Sequence, residues 1–147
     1  MHGVLLTVHI LAATIWTGGH LVLSMAVLPQ VLRDRSPQRL LEFETAYERI
    51  GMPALIVQIA TGLFLAFNIM PDISAWFDVS NPVSRVIMMK LVLLVITLGF
   101  ALDARFRVIP KLSQESLTDM AWHIIPVTVV SVLFVVVGVS FRTGWFF

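Results

Sequence analysis

The sequence predicts an all-α integral membrane protein, a single domain built as a four-helix transmembrane bundle. Of its 147 residues, 58% are hydrophobic and 13% are charged, whereas a soluble domain carries about 25% charged residues. The mean hydropathy is +0.91. A small soluble domain leaves much of its chain exposed to water, so it could not hide this much apolar surface. Lipid is therefore the expected solvent for most of the surface.

The composition also excludes several classes of function. The chain has no cysteine, which excludes disulfides, thiolate metal sites and cysteine nucleophiles. Its formal net charge is +1, so a nucleic-acid partner is not expected. The N-terminal stretch lacks a basic segment and its apolar run exceeds that of a signal peptide, which predicts a retained first helix.

Four apolar stretches approach the ~20 residues that cross the hydrocarbon layer of a bilayer. The first is expected to end before Pro29. The second opens with Gly51, Met52 and Pro53, and proline is tolerated in the first turn of a helix. The predicted spans are residues 3–28, 50–70, 86–102 and 120–141.

The connecting segments predict the orientation. Residues 33–49 carry four arginines, with apolar residues between them that suggest a short amphipathic helix at the interface. Residues 71–85 are expected to form a turn-rich loop. The third connection holds Arg105, Arg107 and Lys111. The positive-inside rule places the first and third connections in the cytoplasm and both termini outside, in a bacterial-type inner (cytoplasmic) membrane.

The first span carries a polar stripe. His2, His9 and Trp16 are spaced by seven residues, and His20 follows four residues later, so all four share one helix face. The rise from His9 to His20 is about 16 Å. The pair Gly18–Gly19 before His20 removes side-chain bulk, which permits close helix packing or the approach of a flat cofactor.

The predicted topology pairs the intramembrane polar residues by depth. His9 and Lys90 fall in the outer half of the bilayer, and His20 and His123 in the inner half. Each single histidine can also be an ordinary packing residue, and the lysine can snorkel to the headgroups. Two depth-matched pairs favour function, because ionisable groups are costly in hydrocarbon.

Two chemistries suit these residues. Imidazoles from different helices of a bundle are axial ligands of haem iron, and neutral imidazole also binds copper. The expected ligand pool is His9, His20 and His123, with Lys90 able to attract a haem propionate or an anionic substrate. The seven methionines are scattered. No hydrolytic triad or phosphate-binding glycine loop is present.

The first span resembles that of the CopD copper-resistance membrane domain and of its relatives, the HemJ-type protoporphyrinogen oxidases, which share a histidine followed seven residues later by tryptophan. A lysine characteristic of HemJ proteins matches Lys90. The similarity covers most of the chain and is carried by residues 9–21, 48–53, 62–63, 89–93 and 122–126.

This resemblance implies four membrane helices, haem b association in the HemJ branch and copper uptake or resistance in the CopD branch. The important histidine and lysine of HemJ proteins fall on His9 and Lys90. The chain has Leu28-Pro29-Gln30 where HemJ proteins carry a Pro-Arg pair, which argues against protoporphyrinogen oxidation. His20 and His123 are more in keeping with CopD-like members.

The leading hypothesis from the sequence is a haem-b-binding membrane protein with an electron-transfer or oxidase-like role. Its cofactor contacts would be the histidine pool, Lys90, Trp16 and Gly18–Gly19. The alternative is CopD-like copper transport or resistance, with the histidine stripe passing copper along the bundle. A third is a non-catalytic accessory subunit whose polar pairs lock helices together. A homodimer, a redox partner and a porphyrin or copper ligand remain open as partners.

Overall fold

The computed structural model describes residues 2–146, which form four long helices. We name them α1 (His2–Asp34), α2 (Pro37–Ile69), α3 (Pro82–Lys111) and α4 (Leu117–Thr143). Each is long and apolar enough to cross a membrane. The prediction of an all-α fold with four candidate membrane spans is confirmed.

Helix α1 runs past the end that the sequence predicted. It continues through Pro29 to Asp34 by way of a π-helical turn at Leu23–Val27. Pro29 has no N–H to donate to the preceding turn, and a local widening of the helix is a common way to accommodate such a break. The helix ends at Asp34 and is followed by Arg35, whose φ of 46° is left-handed, so it continues beyond the predicted span of residues 3–28.

Helix α2 begins thirteen residues before the predicted start of the second span. The Ser36 side chain accepts a hydrogen bond from the backbone N–H of Arg39 at 3.4 Å, and Pro37 occupies the first turn, two features of a helix start. The predicted interfacial helix is therefore the first part of α2, and Pro53 lies inside the helix. At 33 residues, α2 is about 50 Å long, so it projects beyond a ~30 Å hydrocarbon layer.

The segment between α2 and α3 is a turn-rich loop, as the sequence predicted. It contains the 3-10 turn Ile73–Phe77 and two aspartates that cap turns. Hydrogen bonds from the side chain and then the backbone of Ser74 lower the pKa of Asp72, and Ser80 does the same to the pKa of Asp78. Asn81 caps the start of α3 by accepting from Val83 N.

The four helices lie in the order α2, α1, α4, α3, each packed against its neighbour. Helices α2 and α3 have few direct contacts, although Arg105 and Glu48 form an ion pair between them at 2.7 Å. We call the end of the bundle that holds residues 35–36 and 112–116 the basic end, and the opposite end, with both chain termini, the terminal end. The main buried core lies at the basic end and comprises Leu23, Leu28, Val31, Leu40, Leu117, Met120, Ala121 and Ile124.

The arginine-rich segments at the basic end lead us to expect that this end faces the cytoplasm. A reporter enzyme that is active only outside the cytoplasm, fused after residue 147, should then be active. A reporter active only in the cytoplasm serves as the matched control and should be silent at the same position. The reverse result would mean that the protein is inserted in the opposite orientation. The relative depth of its polar residues would be unchanged.

Candidate metal-binding histidines

His9 is tied to α2 by its Nδ1 atom. This atom lies 2.8 Å from Oγ1 of Thr61, whose own hydroxyl hydrogen is donated to the carbonyl of Val57 at 2.6 Å. Since the hydroxyl oxygen accepts from His9, Nδ1 carries the proton and Nε2 has the free lone pair. A Cβ atom placed at Gly62 would lie 3.0 Å from Cε1 of the ring, so the glycine lets the imidazole pack against α2.

His20 is fixed in the same protonation pattern by a different acceptor. Its Nδ1 atom lies 2.8 Å from the backbone carbonyl oxygen of Trp16. A carbonyl only accepts hydrogen bonds, so Nδ1 is the protonated atom and Nε2 is again free. The residue is 8% exposed. Its ring lies 4.5 Å from the Trp16 ring, centroid to centroid, and the backbone carbonyl of His20 accepts from Thr128 of α4 at 3.2 Å.

Tyr47 of α2 meets the same carbonyl of α1. Its hydroxyl donates to Trp16 O at 2.9 Å, and its ring meets the His20 ring edge-on at 5.7 Å between centroids. A Cβ atom at Gly19 would overlap the Tyr47 ring, and one at Gly51 would lie 2.9 Å from it. We call the space left by these two glycines the glycine notch. Tyr47 fills it.

His123 points towards α3. Its Nε2 atom lies 3.0 Å from the carbonyl oxygen of Phe100, and its Nδ1 atom lies 3.5 Å from Oδ2 of Asp103. The same carboxylate pairs with Arg107 at 2.7 Å. These contacts fasten α4 to α3 and place the second ring nitrogen beside a carboxylate.

Lys90 also lies between α3 and α4. Its Nζ atom is 5.7 Å from the centroid of the Phe141 ring, a cation–π distance, and 3.2 Å from where a Cβ atom of Gly138 would be. Within residues 2–146 it forms no ion pair. The sequence predicted that Lys90 and His9 lie at the same depth of the bundle, and this stays a prediction.

The predicted inner pair is arranged differently. The ring of His20 contacts Tyr47 of α2, whereas the ring of His123 contacts Phe100 of α3. No cluster of three or more histidine, aspartate or glutamate side chains that could hold one ion occurs among the described residues.

Gly18, Gly19 and His2, which the sequence placed on or beside the polar stripe, have different surroundings. Gly19 has a packing role, because Tyr47 occupies the space that a flat cofactor would need, whereas a Cβ atom at Gly18 would meet nothing within 4 Å. His2 is exposed at the start of α1. Two buried polar atoms near the stripe, Trp16 Nε1 and Gln58 Oε1, have no hydrogen-bond partner among the described residues.

Four residues near the histidines were not predicted from the sequence pattern: Thr61, Gln58, Tyr47 and Asp103. Tyr47 looked like an interfacial aromatic residue, because α2 was expected to start after it. One available signal was that Tyr47 and Gly51 are spaced by four residues, and so lie on one face of any helix that includes both.

Comparison with known families gave one match. The family model described as "Copper resistance protein D" (CopD) matches residues 41–141, more than half of the chain. The matched region includes Lys90 and His123 and begins after α1, so it does not include His9, Trp16 or His20. Comparisons with curated proteins and with solved structures found no match.

Proposed function

The chain belongs to the CopD copper resistance protein family, and we propose that it transports copper within the membrane using the free Nε2 atoms of His9 and His20. Family membership supports copper handling more directly than the haem-dependent redox role that the sequence first suggested. The location of the ligands on α1, outside the matched region, rests on the geometry of the two imidazoles.

The observation that carries the proposal is the shared hydrogen-bonding pattern of His9 and His20. Histidines that bind metals almost always donate their other ring N–H to a fixed acceptor, which sets the tautomer and aims the free nitrogen. Thr61 Oγ1 serves His9 in this way at 2.8 Å, and the carbonyl of Trp16 serves His20 at 2.8 Å. Neutral imidazole is a good ligand for copper.

The spacing of the two residues suggests successive stations. They are eleven residues apart on one helix, or about 16 Å along its axis, so one ion cannot contact both. A site with a single strong ligand binds weakly, which suits a passing ion because transport requires release as well as binding. The unpaired Oε1 of Gln58 offers an additional oxygen on the α2 side, one helical turn from Thr61.

A haem-b-binding redox protein is the second candidate. His9 and Lys90 favour it, because a free Nε2 is an axial ligand for haem iron and an ammonium without an ion pair would attract a propionate. Haem would supply one-electron chemistry. The glycine notch does not fit the group, because Tyr47 fills it.

An absorption spectrum with metal analysis distinguishes the two candidates. For protein purified in detergent and incubated with Cu(I), we expect retained copper and no Soret band. The matched control is the variant His9→Gln/His20→Gln, which should retain at least about tenfold less copper. Mutation of a residue that only orients a metal ligand typically lowers metal affinity about 10- to 100-fold, and loss of the ligand itself should lower it more. A Soret band that disappears in the control variant would establish the haem candidate instead.

A further inference from the structure

We propose that Tyr47 is the positioning residue of the His20 station, and that the glycine notch exists to hold it there. The inference rests on the proposed function for the identity of the metal. It goes further by assigning a role to a residue on another helix that would contact no metal.

The first step is the shared acceptor. The carbonyl oxygen of Trp16 accepts from His20 Nδ1 at 2.8 Å and from the Tyr47 hydroxyl at 2.9 Å. The tyrosine hydroxyl also lies 3.2 Å from the carbonyl of Ile15. These bonds place the tyrosine ring, which comes from α2, beside the one backbone atom of α1 that orients the imidazole.

The second step is steric. The Tyr47 ring meets the His20 ring edge-on, with 5.7 Å between centroids, and Trp16 lies against the imidazole at 4.5 Å. The imidazole is therefore bounded by two aromatic rings. Rotation of its side chain away from the Trp16 carbonyl would require Tyr47 to move.

The third step is the cost of the glycine notch. A glycine inside a helix is less favourable than an alanine, and the notch uses two, Gly19 and Gly51. Alanine at Gly19 would overlap Tyr47, and alanine at Gly51 would place a Cβ atom 2.9 Å from its ring. The neighbouring Gly18, where a Cβ atom would meet nothing, shows that the requirement is local to the tyrosine.

Two variants should therefore have the same effect by different routes. Tyr47→Leu removes the ring from the notch, and Gly19→Ala expels the ring without altering it chemically. Both should free His20 to rotate and lose its fixed tautomer. Tyr47→Phe keeps the ring but loses the hydroxyl bonds to the carbonyls of Trp16 and Ile15, so its effect should lie between those of the parent protein and Tyr47→Leu. Gly18→Ala is the matched control on α1 and should behave like the parent protein.

The first readout is nitrogen NMR of protein labelled in its histidines, with the His20 signal assigned from its loss in His20→Gln. The parent should show Nδ1 protonated and Nε2 unprotonated at His20. Tyr47→Leu and Gly19→Ala should show a mixture of tautomers. This readout does not depend on copper, and a His20 signal unchanged in both variants would overturn the proposal.

The second readout is copper uptake into proteoliposomes. We expect copper uptake by Tyr47→Leu and by Gly19→Ala to be about 10- to 100-fold lower than that of the parent protein, the usual effect of altering a partner that orients a metal ligand. The double variant Tyr47→Leu/Gly19→Ala should lose no more uptake than either single variant. Parent protein that carries no copper would refute the proposed function, while the NMR result would still decide the role of Tyr47. If Gly19→Ala fails to fold, Tyr47→Leu decides the question, because it introduces no overlap.

Discussion

Replacing either His9 or His20 by glutamine should reduce copper uptake into proteoliposomes by at least about tenfold. The two residues lie about 16 Å apart along α1 and act in series in the proposed route, so interruption at either point stops the ion. The double variant should therefore be no worse than either single variant, the non-additivity expected of residues that act as a unit.

His123→Gln is the matched control for these variants. His123 contacts α3 through both ring nitrogens, and the glutamine amide can still donate to the Phe100 carbonyl. Uptake should stay close to that of the parent protein. If His123→Gln abolished uptake while His20→Gln retained it, the route would have to be moved from the α1–α2 interface to the α3–α4 interface.

Replacing Lys90 by methionine should improve membrane insertion, by less than the about 2.5–3.5 kcal/mol that a charged residue costs at the centre of a spanning helix, because Lys90 lies towards one end of its span. Lys90 forms no ion pair within the described residues, so its removal leaves no buried partner charge behind. The gain can be measured as the inserted fraction in a translocation assay. Lys111→Met is the matched control, because Lys111 is exposed at the basic end and its loss should change insertion little.

The same Lys90→Met variant separates the two candidate functions. If copper is the cargo, removal of a positive charge predicted to lie at the depth of His9 should leave copper binding there as strong as before, or stronger. If haem is the ligand, loss of the cation that pairs with a propionate should lower the haem content. Reduced copper binding in Lys90→Met together with normal insertion would contradict the account given for this residue.

Hydropathy and loop charge were enough to predict the four helices, because the need to satisfy backbone polar groups in lipid leaves few alternatives. The same reasoning did not predict how far the helices extend beyond the predicted spans. Apolar length reports the part of a helix that lies in hydrocarbon, so it could not show that α2 begins at Pro37 and projects from the bilayer. The Ser36–Pro37 pair is the sequence signal of that start.

The stripe on α1 could be predicted because it needs only the helical period. The partners of its residues could not, since they depend on how each helix is rotated about its own axis. Depth alone matched His20 with His123, yet their rings face different neighbours. Tyr47 was missed for a related reason: its importance comes from a space on another helix, left by Gly19.

The most direct test of the central claim is X-ray absorption at the copper edge of protein loaded with Cu(I). The account predicts a first shell that includes imidazole nitrogen in the parent protein, unchanged in His123→Gln and absent from His9→Gln/His20→Gln. A first shell of sulfur, or a nitrogen shell that persists after both α1 histidines are replaced, would contradict the claim that copper binds at His9 and His20.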